Sequence, residues 1–173
     1  MTGFPVGARV VYPSHGVGVI ENVEERSMGT ARLACYMLRL ADHSLVMVPV
    51  NNAATIGLRP PLTAVECETL FRRLAEDFAA PANDWKDRFK DFSERMKTGD
   101  LFAIASVCRD LTFLSKTKAL SFREQMLLEK AQYLVVSELA LVCCQPECDI
   151  TERLQQTLAA AFAGKAQSLA AGH

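Results

Sequence analysis

The side chains best placed to do chemistry in this sequence surround its single tryptophan, Trp85. They lie in the segment NDWKDRFKDFSERMKTGD, residues 83–100. Four large apolar residues recur there at spacings of four, three and four: Trp85, Phe89, Phe92 and Met96. This spacing predicts an amphipathic helix with the four side chains on one face. Asn83 is its predicted N-cap, and Gly99 suits its C-terminal end.

Cations flank this apolar stripe on both sides of a helical wheel. Lys86, Lys90 and Lys97 lie along one flank, and Arg88 and Arg95 lie along the other. A bulky ring at a helix start with cations on both sides can contact a nucleic-acid backbone and act as a wedge. The alternative is that Trp85 belongs to the core, as most aromatic residues of a helical stripe do.

Recognisable catalytic motifs are missing from the sequence. It contains neither G-x-x-x-x-G-K-[ST] nor G-x-G-x-x-G, the two common phosphate-binding loops. Asp42-His43-Ser44 holds three triad residue types, but contiguous neighbours cannot face one another as a triad requires, so we interpret it as a turn. We therefore predict a protein that is not an enzyme and needs no cofactor.

The six cysteines form no disulfide framework: Cys35, Cys67, Cys108, Cys143, Cys144 and Cys148. We expect them to be reduced. The last three are too closely bunched for the paired spacing of a tetrahedral zinc site, so no metal is predicted. A redox- or metal-responsive regulator that uses these three thiols is a minor alternative.

Charge is distributed unevenly along the chain, although its net value is only −1. Residues 63–85 carry two basic and five acidic side chains, whereas residues 86–130 carry ten basic and seven acidic. Attraction to phosphate should therefore be local and salt-sensitive. Neither a transmembrane-length apolar run nor a signal-peptide pattern is present, so we expect a cytoplasmic protein.

The first 60 residues show the pattern of a small β-domain. Four short runs of strand-forming residues are separated by turns: Ala8–Tyr12, Val17–Glu25, Leu33–Leu40 and Leu45–Val50. Gly18 suggests a bulge in the second run. Short strands and turns at this density predict a bent sheet of Tudor or SH3 type spanning residues 1–60, and Arg59-Pro60-Pro61 marks its boundary.

The sequence after Pro61 predicts a series of helices. Thr63 with Glu66 and Ser121 with Glu124 form capping boxes, and Asp100 caps a further helix. Pro146 interrupts the pattern before a last helix from about Asp149 to Phe162. The predicted fold class is α+β, with an all-α domain of about five helices at 61–163 and a flexible tail at 164–173.

Several motifs in consistent order resemble the CarD/CdnL family of bacterial transcription regulators. They are V-V-Y-P-S-H-G-V-G, V-P-V-N-N-A at 48–53, G-L-R at 57–59, W-K-D-R-F-K at 85–90, V-C-R-D-L at 107–111, L-S-x-x-E-x-x-L-L at 120–128 and A-x-x-x-L-V-x-E-L-A at 131–140. Each is weak alone, but together they cover residues 4 to about 142.

The resemblance implies an accessory factor that binds RNA polymerase holoenzyme and stabilises the promoter open complex. In such proteins the Tudor-like domain docks on the polymerase β subunit. The helical domain contacts the minor groove and backbone of promoter DNA at the upstream edge of the melted region. Carried over by position, Trp85 is the wedge, and Lys86, Arg88 and Lys90 contact DNA. We expect a monomer that joins the nucleoid through the polymerase.

In the first domain the resemblance implies that Arg26, Met28 and Met47 contact polymerase. Met47 and Asp87 both stand where some relatives carry arginine, and Asp87 should weaken phosphate binding. Strand alternation places Met47 on the face of Leu45, where it could be an exposed apolar contact. The alternative function is a polymerase-binding adaptor without significant DNA binding.

Overall fold

The N-terminal unit is a four-stranded antiparallel meander. The computed structural model describes residues 3–172, and the chain divides into two units between Pro61 and Leu62. The strands pair in sequence order: β1 (Arg9–Tyr12), β2 (Gly16–Met28), β3 (Ala31–Leu40) and β4 (Leu45–Pro49). Alternation along β3 separates its even-numbered residues, which include the buried Tyr36, Leu38 and Leu40, from its odd-numbered residues on the opposite face.

The sheet curls because the chain returns to its first strand after β4. A 3₁₀ turn (Val50–Asn52) and the short helix α1 (Ala53–Ile56) lead into Gly57, whose φ of +89° favours glycine. Leu58 then enters the core, and the Val11 N–H donates to the Arg59 carbonyl oxygen at 2.7 Å. The G-L-R motif therefore closes the domain, and the predicted Tudor-like class is confirmed.

The sequence predicted a β-bulge at Gly18. The shift in the register of β2 against β3 lies instead between Ile20 and Asn22. Gly18 has a different reason to be small. A Cβ atom there would lie 2.8 Å from Leu38 Cδ1 and 3.0 Å from the Arg39 carbonyl oxygen. Glycine at this position allows β2 and β3 to pack closely at the centre of the sheet.

Five helices make up the second unit within residues 62–172. They are α2 (Ala64–Ala75), α3 (Trp85–Lys97), α4 (Leu101–Thr117), α5 (Phe122–Cys143) and α6 (Glu147–Ala171). Both predicted capping boxes are present, at Thr63–Glu66 and Ser121–Glu124, and Asp100 caps α4 as predicted. The core contains side chains from all five helices, among them Leu70, Phe92, Leu111, Leu139 and Ile150.

Two helix boundaries differ from the prediction. Helix α3 is capped by Asp84 rather than Asn83, so Trp85 is its first residue. Helix α6 begins at Glu147 directly after Pro146 and continues to Ala171, through most of the segment predicted as a flexible tail. Proline is well suited to the start of a helix, and the alanine-rich sequence after Phe162 favours its continuation. His173 lies outside the described residues. Over residues 3–172, no helix is long and apolar enough to cross a membrane.

Candidate functional site

Trp85 is exposed although its partners on the same helical stripe are not. Phe92 and Met96 are buried in the helical core, whereas the Trp85 side chain is 58% exposed at the first position of α3. The Asp84 carboxylate fixes this helix start by accepting hydrogen bonds from the backbone N–H groups of Lys86 at 2.8 Å and Asp87 at 3.3 Å. The ring is therefore held at a rigid helix start and presented to solvent.

The lysine flank of α3 lies on the surface. Lys86 and Lys90 are both exposed and are separated by one helical turn, which places them on the same side. The Lys86 ammonium lies 5.8 Å from the centroid of the Trp85 ring. Positive charge therefore accompanies the exposed ring on this side, although Asp87 is exposed beside it.

The arginine flank is used within the protein, which contradicts the prediction that Arg88 contacts DNA. Arg88 is only 3% exposed. Its Nε and Nη2 atoms lie 3.0 and 2.7 Å from Glu124 Oε1, and Nη1 donates to the carbonyl oxygens of Ala82 and Asn83. Arg95 is likewise paired, with Asp91 and Asp110. Arg88 therefore positions the start of α3 and is not available to contact DNA.

Glu124 connects the starts of two helices. Its Oε1 accepts from Arg88 on α3, while its Oε2 accepts the Ser121 N–H at 3.0 Å in the capping box of α5. Burial raises the pKa of the Glu124 carboxyl, but the hydrogen bonds from Ser121 and Arg88 outweigh it and hold the pKa below its ordinary value. The carboxylate is thus ionised and fully engaged at neutral pH.

A second exposed aromatic ring, which the sequence reasoning missed, lies near Trp85. Phe122 is the first residue of α5 and is 75% exposed. It lines the same pocket as Trp85. The signal in the sequence was an aromatic residue directly after the N-cap Ser121, outside the apolar stripe of its helix.

The three predicted polymerase contacts share one face of the N-terminal sheet. Arg26 pairs with Leu33, Met28 with Ala31, and Met47 with Met37, so all three oppose odd-numbered residues of β3. Met28 is 51% and Met47 43% exposed. Leu45, on the same face as Met47, is also exposed. This face therefore combines exposed apolar side chains with a cation.

Arg26 and Met28 lie on a projecting hairpin. Strand β1 pairs with residues 16–19 of β2, and β4 pairs with residues 35–39 of β3, so the described residues 25–28 and 31–34 pair only with each other. The Arg26 guanidinium contacts the Glu24 carboxylate, and both side chains remain substantially exposed. A narrow arm of this kind can reach into a partner surface.

The cysteines do not assemble a metal site in the described part of the chain. Among residues 3–172 no group of three or more His, Cys, Asp or Glu side chains is arranged to hold an ion. Cys67 is buried against Cys143, and burial together with that thiol raises the pKa of Cys67 to about 12. Because the thiolate is the reactive form, Cys67 is a poor redox sensor at neutral pH.

Thiol labelling should distinguish the cysteines by exposure. In the native protein we expect two of the six thiols, Cys144 and Cys148, to react rapidly with a chromogenic disulfide reagent, because they are exposed. Cys35, Cys67 and Cys108 are buried and should react only on unfolding. The double variant Cys144→Ser/Cys148→Ser should lose the fast phase. Rapid labelling of a buried thiol would show that the packing around it is open in solution.

The chain consists of two compact units, and sequence comparisons identify its family. Residues 4–61 match the CarD-like/TRCF RID domain, and residues 69–155 match the CarD C-terminal domain. The chain is 29% identical over 140 residues to YdeB of Bacillus subtilis (strain 168), which is described as a candidate transcription factor. That match covers 80% of this chain and 92% of YdeB.

The chain therefore belongs to the CarD/CdnL family, as its sequence motifs predicted. The two matches follow one another along the chain in the order of the two structural units. They assign the protein to a class of transcription regulators, and neither match is to an enzyme family.

Proposed function

We propose that this protein docks on the RNA polymerase β subunit through its N-terminal sheet and stabilises the promoter open complex with Trp85. The exposure of Trp85 at a rigidly capped helix start is the observation that carries this proposal. An aromatic wedge favours bent or partly opened DNA over closed duplex, so it shifts the equilibrium toward opening. The protein would act in the cytoplasm, wherever polymerase engages a promoter.

Tethering explains how so weak a basic surface could suffice. Lys86 and Lys90 are the predicted backbone contacts that remain on the surface, and Asp87 lies between them. Two or three phosphate contacts give low affinity that falls with salt. Docking on polymerase would raise the effective concentration of the helical unit at the promoter, so that each contact needs to contribute little.

Open-complex lifetime is the direct test. We expect the wild-type protein to lengthen the lifetime of a complex between the cognate holoenzyme and a linear promoter after challenge with competitor DNA. The effect should weaken as salt is raised, because backbone contacts release counterions. An unchanged lifetime under conditions in which the protein is bound to holoenzyme would contradict the proposed function.

Reversing the charge of Arg26 should prevent docking. In the variant Arg26→Glu, a second carboxylate would stand beside Glu24 on the projecting hairpin, and like charges repel. We expect affinity for holoenzyme to fall at least about ten-fold, as expected for loss of a charged interface contact. Pull-down or fluorescence titration with labelled protein measures this loss.

Arg32→Glu provides a matched control on the same hairpin. Arg32 pairs with Ser27, one residue from the Arg26–Leu33 pair, so alternation places it on the opposite face. The charge change is identical, and both residues are exposed. If the two variants lose polymerase affinity equally, net charge rather than the predicted face determines binding, and the docking assignment is wrong.

A specific observation favours a second candidate function, a polymerase-binding adaptor without significant DNA binding. The burial of Arg88 and the pairing of Arg95 remove one cationic flank of α3 from any DNA surface. An adaptor would bind holoenzyme and leave open-complex lifetime unchanged. The wedge proposal is preferred because it accounts for an exposed tryptophan that the adaptor does not need.

A further inference from the structure

A pocket of about 730 Å³ opens beside Trp85, between the first turn of α3 and the start of α5. Its aromatic lining comes from Trp85, Phe89 and Phe122, and Lys118 and Arg123 contribute cations. The buried Arg88–Glu124 pair also lines it and therefore forms its floor. The volume lies within the range of about 300–1,000 Å³ that is typical of small-ligand sites.

Phe122 has no evident structural role in this pocket. Its side chain is three-quarters exposed, and the Ser121–Glu124 capping box would form with any helix-compatible residue in its place. Two large rings, Trp85 and Phe122, lie exposed on the rim of one pocket. Their exposure to water is unfavourable, and the fold does not require it. Such exposed aromatic surface is typical of a binding site.

Both rings are attached to helix starts whose backbone is fixed before any ligand arrives. Trp85 directly follows the N-cap Asp84, Phe122 directly follows the N-cap Ser121, and the Arg88–Glu124 pair ties the two helix starts together. A preformed cleft binds with a smaller loss of conformational entropy than one that must order its walls.

We propose that this pocket receives one unstacked DNA base, with Phe122 as a second stacking surface beside Trp85. Bases present a flat π-face that stacks on aromatic side chains regardless of sequence. Lys118 and Arg123 on the rim can meet the adjoining phosphates, and both are exposed. This proposal rests on the proposed function, because an opened promoter supplies unpaired bases next to duplex.

Binding of the full-length protein to three duplexes of one sequence tests the base site. The first is fully paired, the second carries a single extrahelical thymine, and the third carries an abasic residue in place of that thymine. By fluorescence anisotropy at low salt, we expect the wild type to prefer the thymine bulge by about five-fold or more over the other two, as expected for stacking of one base. Free thymidine monophosphate should compete only weakly.

Substitution at Phe122 then separates this proposal from the wedge. Phe122→Ala should lose the preference for the thymine bulge, and Phe122→Tyr should keep it because the ring remains. Val65→Ala, on α2, is the matched control, since Val65 is a similarly exposed apolar residue outside the pocket. Both alanine variants should unfold at the same temperature as the wild type.

Equal binding of the bulged and abasic duplexes, no binding to any of the three, or an unchanged preference in Phe122→Ala would overturn the base site. Equally tight binding of thymidine monophosphate would assign the pocket to free nucleotides instead. None of these results would contradict the proposed function, because that function is tested by the open-complex lifetime with the wild-type protein. Conversely, a preference for the thymine bulge without any effect on open-complex lifetime would contradict the proposed function and support the base site.

Discussion

Glu124→Gln should destabilise the helical unit by about 3 kcal/mol, the lower end of the range for breaking a buried ion pair. The substitution removes the negative charge that faces the Arg88 guanidinium, and both side chains are almost completely buried. An uncompensated cation would then remain in the interior. Glutamine can still accept one hydrogen bond, which is why the lower end applies. Urea unfolding followed by helical circular dichroism measures the loss.

Glu68→Gln makes the same chemical change in an exposed pair. Glu68 contacts Arg153 across the surface of α2 and α6, with Oε2 2.8 Å from Nη2. Exposed ion pairs contribute about 0–1 kcal/mol because water screens them and side-chain entropy opposes them. A loss for Glu124→Gln no larger than that for Glu68→Gln would show that solvent reaches the Arg88–Glu124 pair.

The stabilisation from Glu124 should depend on pH in a defined direction. The folded state holds its carboxyl pKa below the ordinary value of 4.5. The contribution is therefore complete above the unfolded pKa and is lost as pH falls through the folded one. The difference in unfolding free energy between the wild type and Glu124→Gln should narrow below about pH 4.5. A constant difference down to pH 3 would contradict this linkage.

Local rules predicted the parts of the fold that depend on neighbouring residues. The capping boxes at Thr63–Glu66 and Ser121–Glu124 follow from a four-residue pattern, and both are present. Strand alternation correctly placed Met47 with Leu45 on the exposed side of β4. The start of α3 was off by one residue because Asn83 and Asp84 are both good N-caps, and composition alone cannot choose between neighbours.

The role of Arg88 depends on long-range structure and could not be predicted. A helical wheel places it at the edge of the apolar stripe, beside Phe89 and Phe92, but says nothing about what faces that edge. Its partner, Glu124, is 36 residues away. The sequence showed Glu124 only as a capping residue. The same limit applies to the pocket between Trp85 and Phe122, since it exists only because two helix starts meet.

The burial of Arg88 limits the cations that α3 can present to DNA. With Arg88 buried and Arg95 paired, the exposed cations that α3 itself offers beside Trp85 are Lys86 and Lys90. Lysines act as point charges rather than bidentate phosphate ligands. Lysine contacts are adaptable and carry no sequence preference. In the proposed function, preference for an opened junction must then come from the rings, so Trp85 is the residue whose removal matters most.

Trp85→Ala should shorten the lifetime of the open complex in the presence of the protein while leaving it folded. Because the ring is more than half exposed, its loss should change unfolding free energy by no more than about 1 kcal/mol. A stacked aromatic side chain contributes about 1–3 kcal/mol per base, which corresponds to roughly a 5- to 150-fold change in an equilibrium constant. We therefore expect most of the lifetime extension produced by the wild type to disappear. Competitor challenge of preformed promoter complexes measures it.

Two variants make the interpretation of this loss specific. Trp85→Phe keeps a smaller ring and should retain part of the lifetime extension. Tyr133→Ala removes another exposed aromatic side chain, on α5 and outside the Trp85 pocket, and should behave as wild type. If Trp85→Ala instead unfolds readily, the ring contributes to the core. If it is folded, binds polymerase and extends the lifetime as fully as the wild type, the tryptophan is not a wedge. If neither protein extends the lifetime although both bind polymerase, the adaptor function explains the chain better.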